Sequence, residues 1–449
     1  IAVLLVGLTG LYIIHRIGLS HSYWQTYWED PNGESQDGQV YVLLVGYMRG
    51  GTSLLGSVFE NDKETNYWFE PIAPVYNALY GLNGNVQSHY IINFPNGTSR
   101  QLPHIEMEAI VSEMKKLMTC DLENLPIEVI VRKSHNTIDK HNEKVCHVYT
   151  DRLLSNLTKC IQESGYKHKQ LDVRLRFCKK YLAQTRKSSC RWEAFPNKFT
   201  EECIDPFYGS NRDLKSVQNK FLGNPSEVDL AWDLKMYGEC LEDLKVGIQK
   251  CLKKQKSSEE CKSQKFQVVK TVRLTLGMAR EILKVIPTVK VIHILRDPRG
   301  ILHSRGNFHG PEHIQFSRGD IGLSAKQLCE RMADDNIQGN KLRSQYPGQF
   351  MEIKYEDFVD KPQHWMKRLY DFIGKNIPSG LVETIKDQIS GNCTKSNKTH
   401  TDEYFGVCRQ SGRDNIEGWQ NLTKDHIEAI DKHCLEISVE KGYHKSVKY

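Results

Sequence analysis

The chain has 449 residues and a formal net charge of +6, with no long basic run. This length allows one large α/β core with an insertion, or two domains. The modest charge, without a basic stripe, argues against a nucleic-acid partner. A mildly basic surface suits an acidic substrate, such as a sulfated or carboxylated glycan.

Cysteines and glycosylation sequons together indicate an oxidising compartment in which glycans are added. The chain has 13 cysteines. Its N-x-S/T sequons are at Asn96, Asn156, Asn392, Asn397 and Asn421. A reduced cytosolic protein with buried cysteines is the alternative. Because 13 is an odd number, at least one thiol is free or pairs with another chain, which leaves a homo-oligomer open.

Residues 1–19 predict part of a signal-anchor segment. Ile1–Ile14 is almost wholly apolar, but a membrane span needs about 20 residues. The first residue is not methionine, so we expect further residues before it. A cleaved signal peptide has an apolar core of similar length and is the competing interpretation, although no A-x-A-like cleavage site follows here. Residues 20–38, which are polar with an aromatic cluster, are then a stem.

The first predicted core element is VYVLLVGYMRGGTS, at Val40–Ser53. Its unbroken apolar run is typical of a strand buried on both faces of a parallel sheet. A loop with Gly46, Gly50 and Gly51 follows, and a helix begins near Thr52. Backbone N–H groups converge in such a loop and the helix dipole favours negative charge, so the stretch predicts a phosphate or sulfate site.

The ligands of this anion site are predicted to come from Arg49, Gly50, Gly51, Thr52 and Ser53. Arg49 supplies a permanent cation with a planar donor fork. The spacing is close to that of the nucleotide P-loop, but Thr52 stands where that loop needs a lysine. A magnesium-dependent NTPase is therefore disfavoured. A plain glycine turn with an incidental arginine is the alternative.

A short apolar strand, Asn66–Phe69, is predicted to deliver the carboxylate of Glu70 to the same rim of the sheet. A helix over 106–118 and a strand over 127–131 complete the first part of the core.

Residues 137–263 predict a cysteine-rich insertion that interrupts the core. The segment is rich in lysine and poor in strand signals. Its eight cysteines are Cys146, Cys160, Cys178, Cys190, Cys203, Cys240, Cys251 and Cys261. They include no C-x-x-C pair, which disfavours zinc and favours disulfides within a mainly helical insertion. A substrate-facing lid and a structural decoration both remain open.

The core resumes with two apolar strands that end in basic residues. The strand over 266–273 carries Lys270 and Arg273 near its end, and a second strand covers 289–295. The remaining elements are predicted as helices over 327–345, 363–373 and 424–440 and a strand over 350–354.

Arg296 stands at the carboxyl end of the second of these strands. Pro298 suits the first turn of the helix that follows, with Asp297 as its cap. Ser304 then lies about two turns into that helix. Arg296 and Ser304 are therefore predicted to converge on one phosphate.

These elements, in this order, resemble the Golgi carbohydrate sulfotransferases that sulfate O-6 of galactose, N-acetylgalactosamine or N-acetylglucosamine. The matching stretches lie before and after the insertion: GYMRGGTSLLGSVF, YWFEPI, CDL, VVKTVRL, VKVIHILRDPRGILHSR and MEIKYEDF. Each stretch alone is moderately specific, and the ordered set is specific.

The resemblance implies that the donor is 3′-phosphoadenosine 5′-phosphosulfate. In the family the first loop reads R-S-G-[ST]-[ST] and binds the phosphosulfate end; Gly50 here replaces the serine. The family's R-D-P-R…S element binds the 3′-phosphate, a role that transfers to Arg296 and Ser304. The implied reaction is a single displacement that requires no metal, with Arg49 stabilising the leaving phosphate.

The resemblance also suggests the base. Glu70 follows Arg49 by 21 residues, and this separation resembles that to the catalytic glutamate of the related tyrosylprotein sulfotransferases. The alternative is that Glu70 caps a turn or pairs with a core arginine. Lys270 and Arg273 stand where cytosolic sulfotransferases carry a lysine–histidine motif, so they are predicted to contact the donor or the acceptor.

The combined prediction is an α/β protein with a P-loop-like parallel sheet flanked by helices and a disulfide-rich, mainly helical insertion. Residues 39–136 and 264–449 form the catalytic domain, which lies in the Golgi lumen on a single-pass type II membrane anchor. The acceptor is a glycan or a glycosaminoglycan. A tyrosylprotein sulfotransferase and a catalytically inactive glycan-binding relative are the alternatives.

Overall fold

The computed structural model of the protein describes residues 38–72, 104–125, 257–306, 321–392 and 412–443, with four isolated positions between 246 and 253. The predicted anchor, almost all of the stem, the strand predicted over 127–131 and most of the insertion lie outside these residues. The sequons at Asn96, Asn156 and Asn397 also lie outside them. Within the described ranges, no helix combines the length and the apolar character needed to span a bilayer.

Five parallel strands form one sheet, in the spatial order β2-β3-β1-β4-β5. The strands are β1 (Val40–Gly46), β2 (Thr65–Phe69), β3 (Phe266–Thr271), β4 (Lys290–Leu295) and β5 (Phe350–Lys354). The side chains of residues 41–45 are at most 1% exposed, as expected of a central strand covered on both faces. The predicted fold class is confirmed.

Helices cover both faces of this sheet. They are α1 (Thr52–Glu60), α2 (His104–Met118), α3 (Ser257–Ser263), α4 (Leu276–Val285), α5 (Pro298–Gly306), α6 (Ile321–Gln345), α7 (Tyr355–Asp360), α8 (Pro362–Ile373), α9 (Leu381–Ser390), α10 (Gly412–Glu417) and α11 (Lys424–Glu440). Helices α1, α7, α8 and α9 pack on one face, and α2, α4, α5, α6 and α11 pack on the other. The core is therefore a three-layer α/β/α arrangement.

The strand order creates a crevice at the carboxyl ends of β1 and β4. Helix α1, which follows β1, packs on one face of the sheet, whereas α5, which follows β4, packs on the other. The two chain segments therefore leave this point in opposite directions. Ligands of open α/β sheets bind in such crevices, so the residues after β1 and after β4 lie where the fold favours a ligand.

Two disulfides join cysteines of the described ranges, and one of them corrects a prediction. Cys329 of α6 bonds to Cys434 of α11. Cys261 bonds to Cys120, just beyond the end of α2, so the prediction that the insertion's cysteines pair among themselves is wrong for Cys261. Cys261 Sγ also accepts a hydrogen bond from Asn66 Nδ2 at 3.1 Å, which places this disulfide against β2. Spacing along the chain does not record such an approach in space.

We expect the double variant Cys329→Ala/Cys434→Ala to lose about 2–5 kcal/mol of unfolding free energy, because the bond restricts the unfolded chain. The two cysteines are 105 residues apart, so a long loop is released. Denaturant unfolding without reductant measures the change. The single variant Cys329→Ala should lose a similar amount, since it already lacks the bond. A loss below about 1 kcal/mol would contradict this prediction.

Candidate active site

Residues 47–51 form a glycine loop between β1 and α1. The loop closes through a hydrogen bond from the Gly50 N–H to the Tyr47 carbonyl, at 2.8 Å. Gly51 has a φ of 89° and Arg49 a φ of 67°. A left-handed backbone costs roughly 1–2 kcal/mol at a residue with a Cβ, so the contacts of Arg49 hold it in a conformation that it would not adopt alone.

Close packing explains two glycines of this region. A Cβ on Gly46 would lie 2.6 Å from Thr52 Cγ2, and a Cβ on Gly51 would lie 2.2 Å from Tyr355 Cδ2. Tyr355 begins α7, directly after β5. Its ring also packs on Arg296, whose guanidinium carbon lies 4.7 Å from the ring centroid. The residue that follows the last strand of the sheet therefore supports the site through its aromatic side chain.

Arg49, Ser304 and Arg296 meet beside the glycine loop. Arg49 Nε donates to Ser304 Oγ at 3.0 Å, and Arg296 Nη1 donates to the Arg49 carbonyl at 2.8 Å. Arg296 Nη2 donates to the carbonyl of Asn415 in α10. Arg296 Nε is buried and has no hydrogen-bond partner among the described residues. The glycine loop and the arginine–serine element, which the sequence predicts as two separate anion sites, are therefore in direct contact.

Two contacts, one at each end of helix α5, fix the position of Ser304. The Arg299 N–H donates to Asp297 Oδ1 at 2.9 Å, which is the predicted cap. Arg305, the residue after Ser304, donates through Nε to the Met48 carbonyl at 3.2 Å. Asp297 therefore caps the amino end of the helix, and Arg305 fastens its carboxyl end to the glycine loop beside Ser304.

Glu70 follows β2 and is only 4% exposed. Its Oε1 accepts hydrogen bonds from Lys270 Nζ at 2.8 Å and from the Val272 N–H at 2.9 Å. Its Oε2 accepts a hydrogen bond from Thr271 Oγ1 at 3.3 Å and forms an ion pair with Arg273. Glu70 therefore pairs with a core arginine, as the alternative interpretation requires, and Lys270 is a second cationic partner.

The charge state of Glu70 follows from these contacts. Burial alone would raise the pKa of Glu70, but the positive charges of Lys270 and Arg273 lower it to about 2. Burial lowers the pKa of Lys270, and Glu70 opposes that effect. The carboxylate is thus ionised at neutral pH. The roles of Glu70 as base and of Lys270 and Arg273 as donor or acceptor contacts stay predictions.

Sequence reasoning missed three buried polar residues that border the site. Tyr47 Oη donates to Asp335 Oδ2 at 3.1 Å, and Arg331 Nη2 donates to the Gly46 carbonyl at 3.4 Å. Arg331 and Asp335 are four residues apart on α6, a spacing that is typical of an exposed ion pair on a helix surface. For Tyr47, its position within the glycine motif was the signal that could have marked it as a residue of the site.

Two predicted glycosylation sites lie in the described ranges. Asn392 follows α9, and Asn421 ends a short 3₁₀ helix before α11; both are exposed. An exposed asparagine at the end of an element is open to sugar addition, and glycosylation of these residues stays a prediction.

A glycine loop and an arginine–serine element at the switch point of a parallel sheet define an α/β protein suited to an anionic ligand. A profile of the sulfotransferase family matches residues 42–378, which is more than half of the chain. The chain belongs to this family.

The curated relatives are carbohydrate sulfotransferases. Carbohydrate sulfotransferase 1 of Danio rerio is 28% identical over 199 residues, covering 42% of this chain and 46% of the relative. Carbohydrate sulfotransferase 2 of Mus musculus is 25% identical over 224 residues, covering 42% of this chain and 41% of the relative. The chain thus spans less than half the length of these relatives. The resemblance to carbohydrate sulfotransferases is confirmed.

Among solved structures, a mouse sulfotransferase complexed with PAP is 17% identical, with a TM-score of 0.31, over 42% of this chain and 72% of that chain. A structural similarity this low does not bear on function.

We expect Gly51→Ala to lose about 1–3 kcal/mol more unfolding free energy than Gly348→Ala, because the new methyl group overpacks the site. Both glycines have a positive φ, so the free-energy cost of placing alanine in a left-handed backbone is similar in the two variants. The methyl group of the first variant meets Tyr355, whereas nothing lies within 4 Å of the second. Urea unfolding of both variants measures the difference. Equal losses would mean that the Tyr355 ring moves aside.

The Glu70 cluster predicts a pH-dependent stability difference between the wild type and Glu70→Gln. The folded pKa of about 2 lies below the ordinary value of 4.5, so the ionised carboxylate stabilises the fold above pH 4.5. This contribution is lost as the pH falls towards 2. At neutral pH we expect the variant to be less stable by about 3–5 kcal/mol. Denaturant unfolding at several pH values should show the difference shrink between pH 4.5 and 2.

Glu281→Gln is the matched control for this prediction. Glu281 pairs with Lys284 on the outer surface of α4, where an ion pair contributes little. A stability difference for Glu70→Gln that does not change with pH would contradict the cluster's role.

Proposed function

We propose that this protein is a carbohydrate sulfotransferase. It moves a sulfuryl group from 3′-phosphoadenosine 5′-phosphosulfate to a hydroxyl of a glycan or glycosaminoglycan, at the 6-OH of galactose, N-acetylgalactosamine or N-acetylglucosamine. The observation that carries the proposal is the contact of Arg49 with Ser304 and Arg296 at the crevice. Family membership and the names of the relatives support sulfuryl transfer to carbohydrate.

The residues of the crevice fit a donor with an anionic group at each end. The first N–H groups of α1, which include those of Thr52 and Ser53, have no acceptor within the helix. Arg296 Nε is buried without an acceptor among the described residues, and a phosphate oxygen would satisfy it. We therefore assign the phosphosulfate end to the glycine loop and the 3′-phosphate to Arg296 and Ser304.

In the proposed reaction, the sugar oxygen forms a bond to sulfur while the bond from sulfur to the bridging phosphate oxygen breaks. The electron pair of that bond stays with the phosphate, and the hydroxyl proton passes to a base. Arg49 and the loop N–H groups stabilise the charge that grows on the phosphate. Arginine remains protonated at neutral pH, so Arg49 acts through its charge and does not give up a proton.

Glu70 is the proposed base. Its low pKa keeps it ionised, as a proton acceptor must be. Its four partners occupy both carboxylate oxygens, so Lys270 or Arg273 has to move aside before a hydroxyl can approach. The released cation is then free to compensate charge on the sulfuryl group or on the glycan. This is the substrate contact that we propose for Lys270 and Arg273.

We place the protein in the Golgi membrane as a single-pass type II protein, with residues 39–136 and 264–449 as the luminal catalytic domain. The apolar residues 1–19 and the sequons support this setting. The two disulfides also support it, because such bonds form in oxidising compartments.

Incubation with labelled donor and a panel of chondroitin, keratan and N-acetylglucosamine-terminated acceptors tests the proposal. We expect label on at least one of these glycans. Arg49→Ala should lower kcat about 10²- to 10³-fold, because it removes charge stabilisation of the leaving group. Glu70→Ala should also lower kcat strongly. Arg343→Ala is the control, since Arg343 lies near the start of β5, at the other end of the sheet, and should keep full activity.

Each other outcome of this assay has a distinct meaning. Failure on all glycans would overturn the 6-O assignment. Transfer to a tyrosine peptide alone would indicate a tyrosylprotein sulfotransferase. Donor binding without turnover in the intact protein would indicate an inactive glycan-binding relative.

A further inference from the structure

Arg331 and Asp335 of α6 form a buried pair against the carboxyl ends of β1 and β3. Arg331 is 8% exposed and Asp335 is fully buried, with Arg331 Nε 3.5 Å from Asp335 Oδ2. The reaction proposed above uses neither side chain. Burial of an arginine and an aspartate costs a large desolvation free energy, which further hydrogen bonds must offset. The partners in those hydrogen bonds show which chain segments the pair holds in place.

The Arg331 guanidinium binds three backbone carbonyls. Nη1 donates to Val272 at 3.0 Å, and Nη2 donates to Leu274 at 2.7 Å and to Gly46 at 3.4 Å. Gly46 ends β1 at the start of the glycine loop, whereas the other two residues follow β3. Carbonyls beyond a strand end need other donors, and a planar guanidinium offers several in a fixed fork. The ammonium group of a lysine has its donors on one nitrogen atom, so it cannot reach all three carbonyls at once.

Asp335 holds the same two segments from its own side. Its Oδ2 accepts a hydrogen bond from Tyr47 Oη at 3.1 Å, and its Oδ1 accepts one from the Leu276 N–H at 2.7 Å. Tyr47 opens the glycine loop, and Leu276 begins α4. The Arg331 guanidinium carbon also lies 4.9 Å from the centroid of the Tyr47 ring. The pair therefore contacts the start of the glycine loop at three groups, the Gly46 carbonyl, the Tyr47 ring and the Tyr47 hydroxyl.

Val272 connects this pair to Glu70. The Val272 N–H donates to Glu70 Oε1 at 2.9 Å, and the Val272 carbonyl accepts from Arg331 at 3.0 Å. One peptide segment is therefore held between Glu70 and Arg331. Because Arg331 also binds the start of the glycine loop, the loop and the Glu70 cluster are positioned by the same group.

We propose that Arg331 and Asp335 are positioning residues for sulfuryl transfer, which set the glycine loop and Arg49 relative to Glu70 and Lys270. This inference rests on the proposed function, because it concerns the same site. In-line displacement requires the leaving group, the sulfur atom and the base to be aligned. A misplacement of about 1 Å can lower the rate about a hundredfold.

Arg331→Lys tests this role, because it keeps the charge and removes the fork. We expect kcat at saturating donor and acceptor to fall at least about tenfold. The Kd for 3′-phosphoadenosine 5′-phosphate, measured by calorimetry, should rise by a smaller factor than kcat falls, since Arg296 and Ser304, the proposed contacts of the 3′-phosphate, are unchanged. Tyr47→Phe removes only the hydrogen bond to Asp335, so it should fold in any case and give a smaller fall in kcat.

Asp62→Asn is the matched control. Asp62 is also buried and pairs with Lys375 Nζ at 2.8 Å, but it precedes β2 at the amino end of the sheet. It should lower Tm and leave kcat unchanged. A kcat within about threefold of wild type for both Arg331→Lys and Tyr47→Phe would overturn the positioning role. Equal losses of kcat in Arg331→Lys and Asp62→Asn at matched Tm would do the same. Absence of any transfer by the wild type would overturn the proposed function itself, and this inference with it.

Discussion

The parallel pairing of β1 with β3 on one side and β4 on the other is the constraint on which the site depends. In this register, Val45 lies level with both Thr271 and His293, so the three strands finish side by side. The glycine loop, the partners of Glu70 and Arg296 all begin within a few residues of that level. Side chains that are 255 positions apart in the chain, Arg49 and Ser304, therefore meet without any long flexible reach.

Several backbone carbonyls near the site accept hydrogen bonds from buried arginines, because backbone groups away from water need a partner: Arg331 donates to Gly46, Arg296 to Arg49 and Arg299 to Tyr443. Each of these arginines would be costly to bury alone, so each has a carboxylate or an aromatic ring beside it. The pairs are Arg331 with Asp335, Arg299 with Asp297, and Arg296 with Tyr355. Some of the charged side chains near the strand ends therefore hold the backbone in place, and others face the crevice.

The sheet and most helices could be predicted because buried strands of an α/β fold are continuous apolar runs. Strand β5 and helix α11 have the predicted bounds, 350–354 and 424–440. Strand β3 ends at Thr271, two residues earlier than predicted, because the Val272 N–H binds Glu70 and the Arg273 N–H binds Thr271 Oγ1. The contacts of Arg331 could not be predicted, since no local pattern records which carbonyl lies nearby in space. Pairing of Glu70 with a core arginine was one of the open interpretations, but the sequence did not identify Lys270 and Arg273 as its partners.

The Cys120–Cys261 bond closes a covalent loop that contains the 140 residues between its two cysteines. A single protease cleavage inside that loop would leave the chain before Cys120 and the chain after Cys261 joined through sulfur, and only reduction would break that covalent link. Insertions or deletions inside the loop change its closure entropy little, because this entropy rises only with the logarithm of loop length. Arg49, Glu70, Arg296 and Ser304 all lie outside the loop, so a change of its length leaves their own chain segments unaltered.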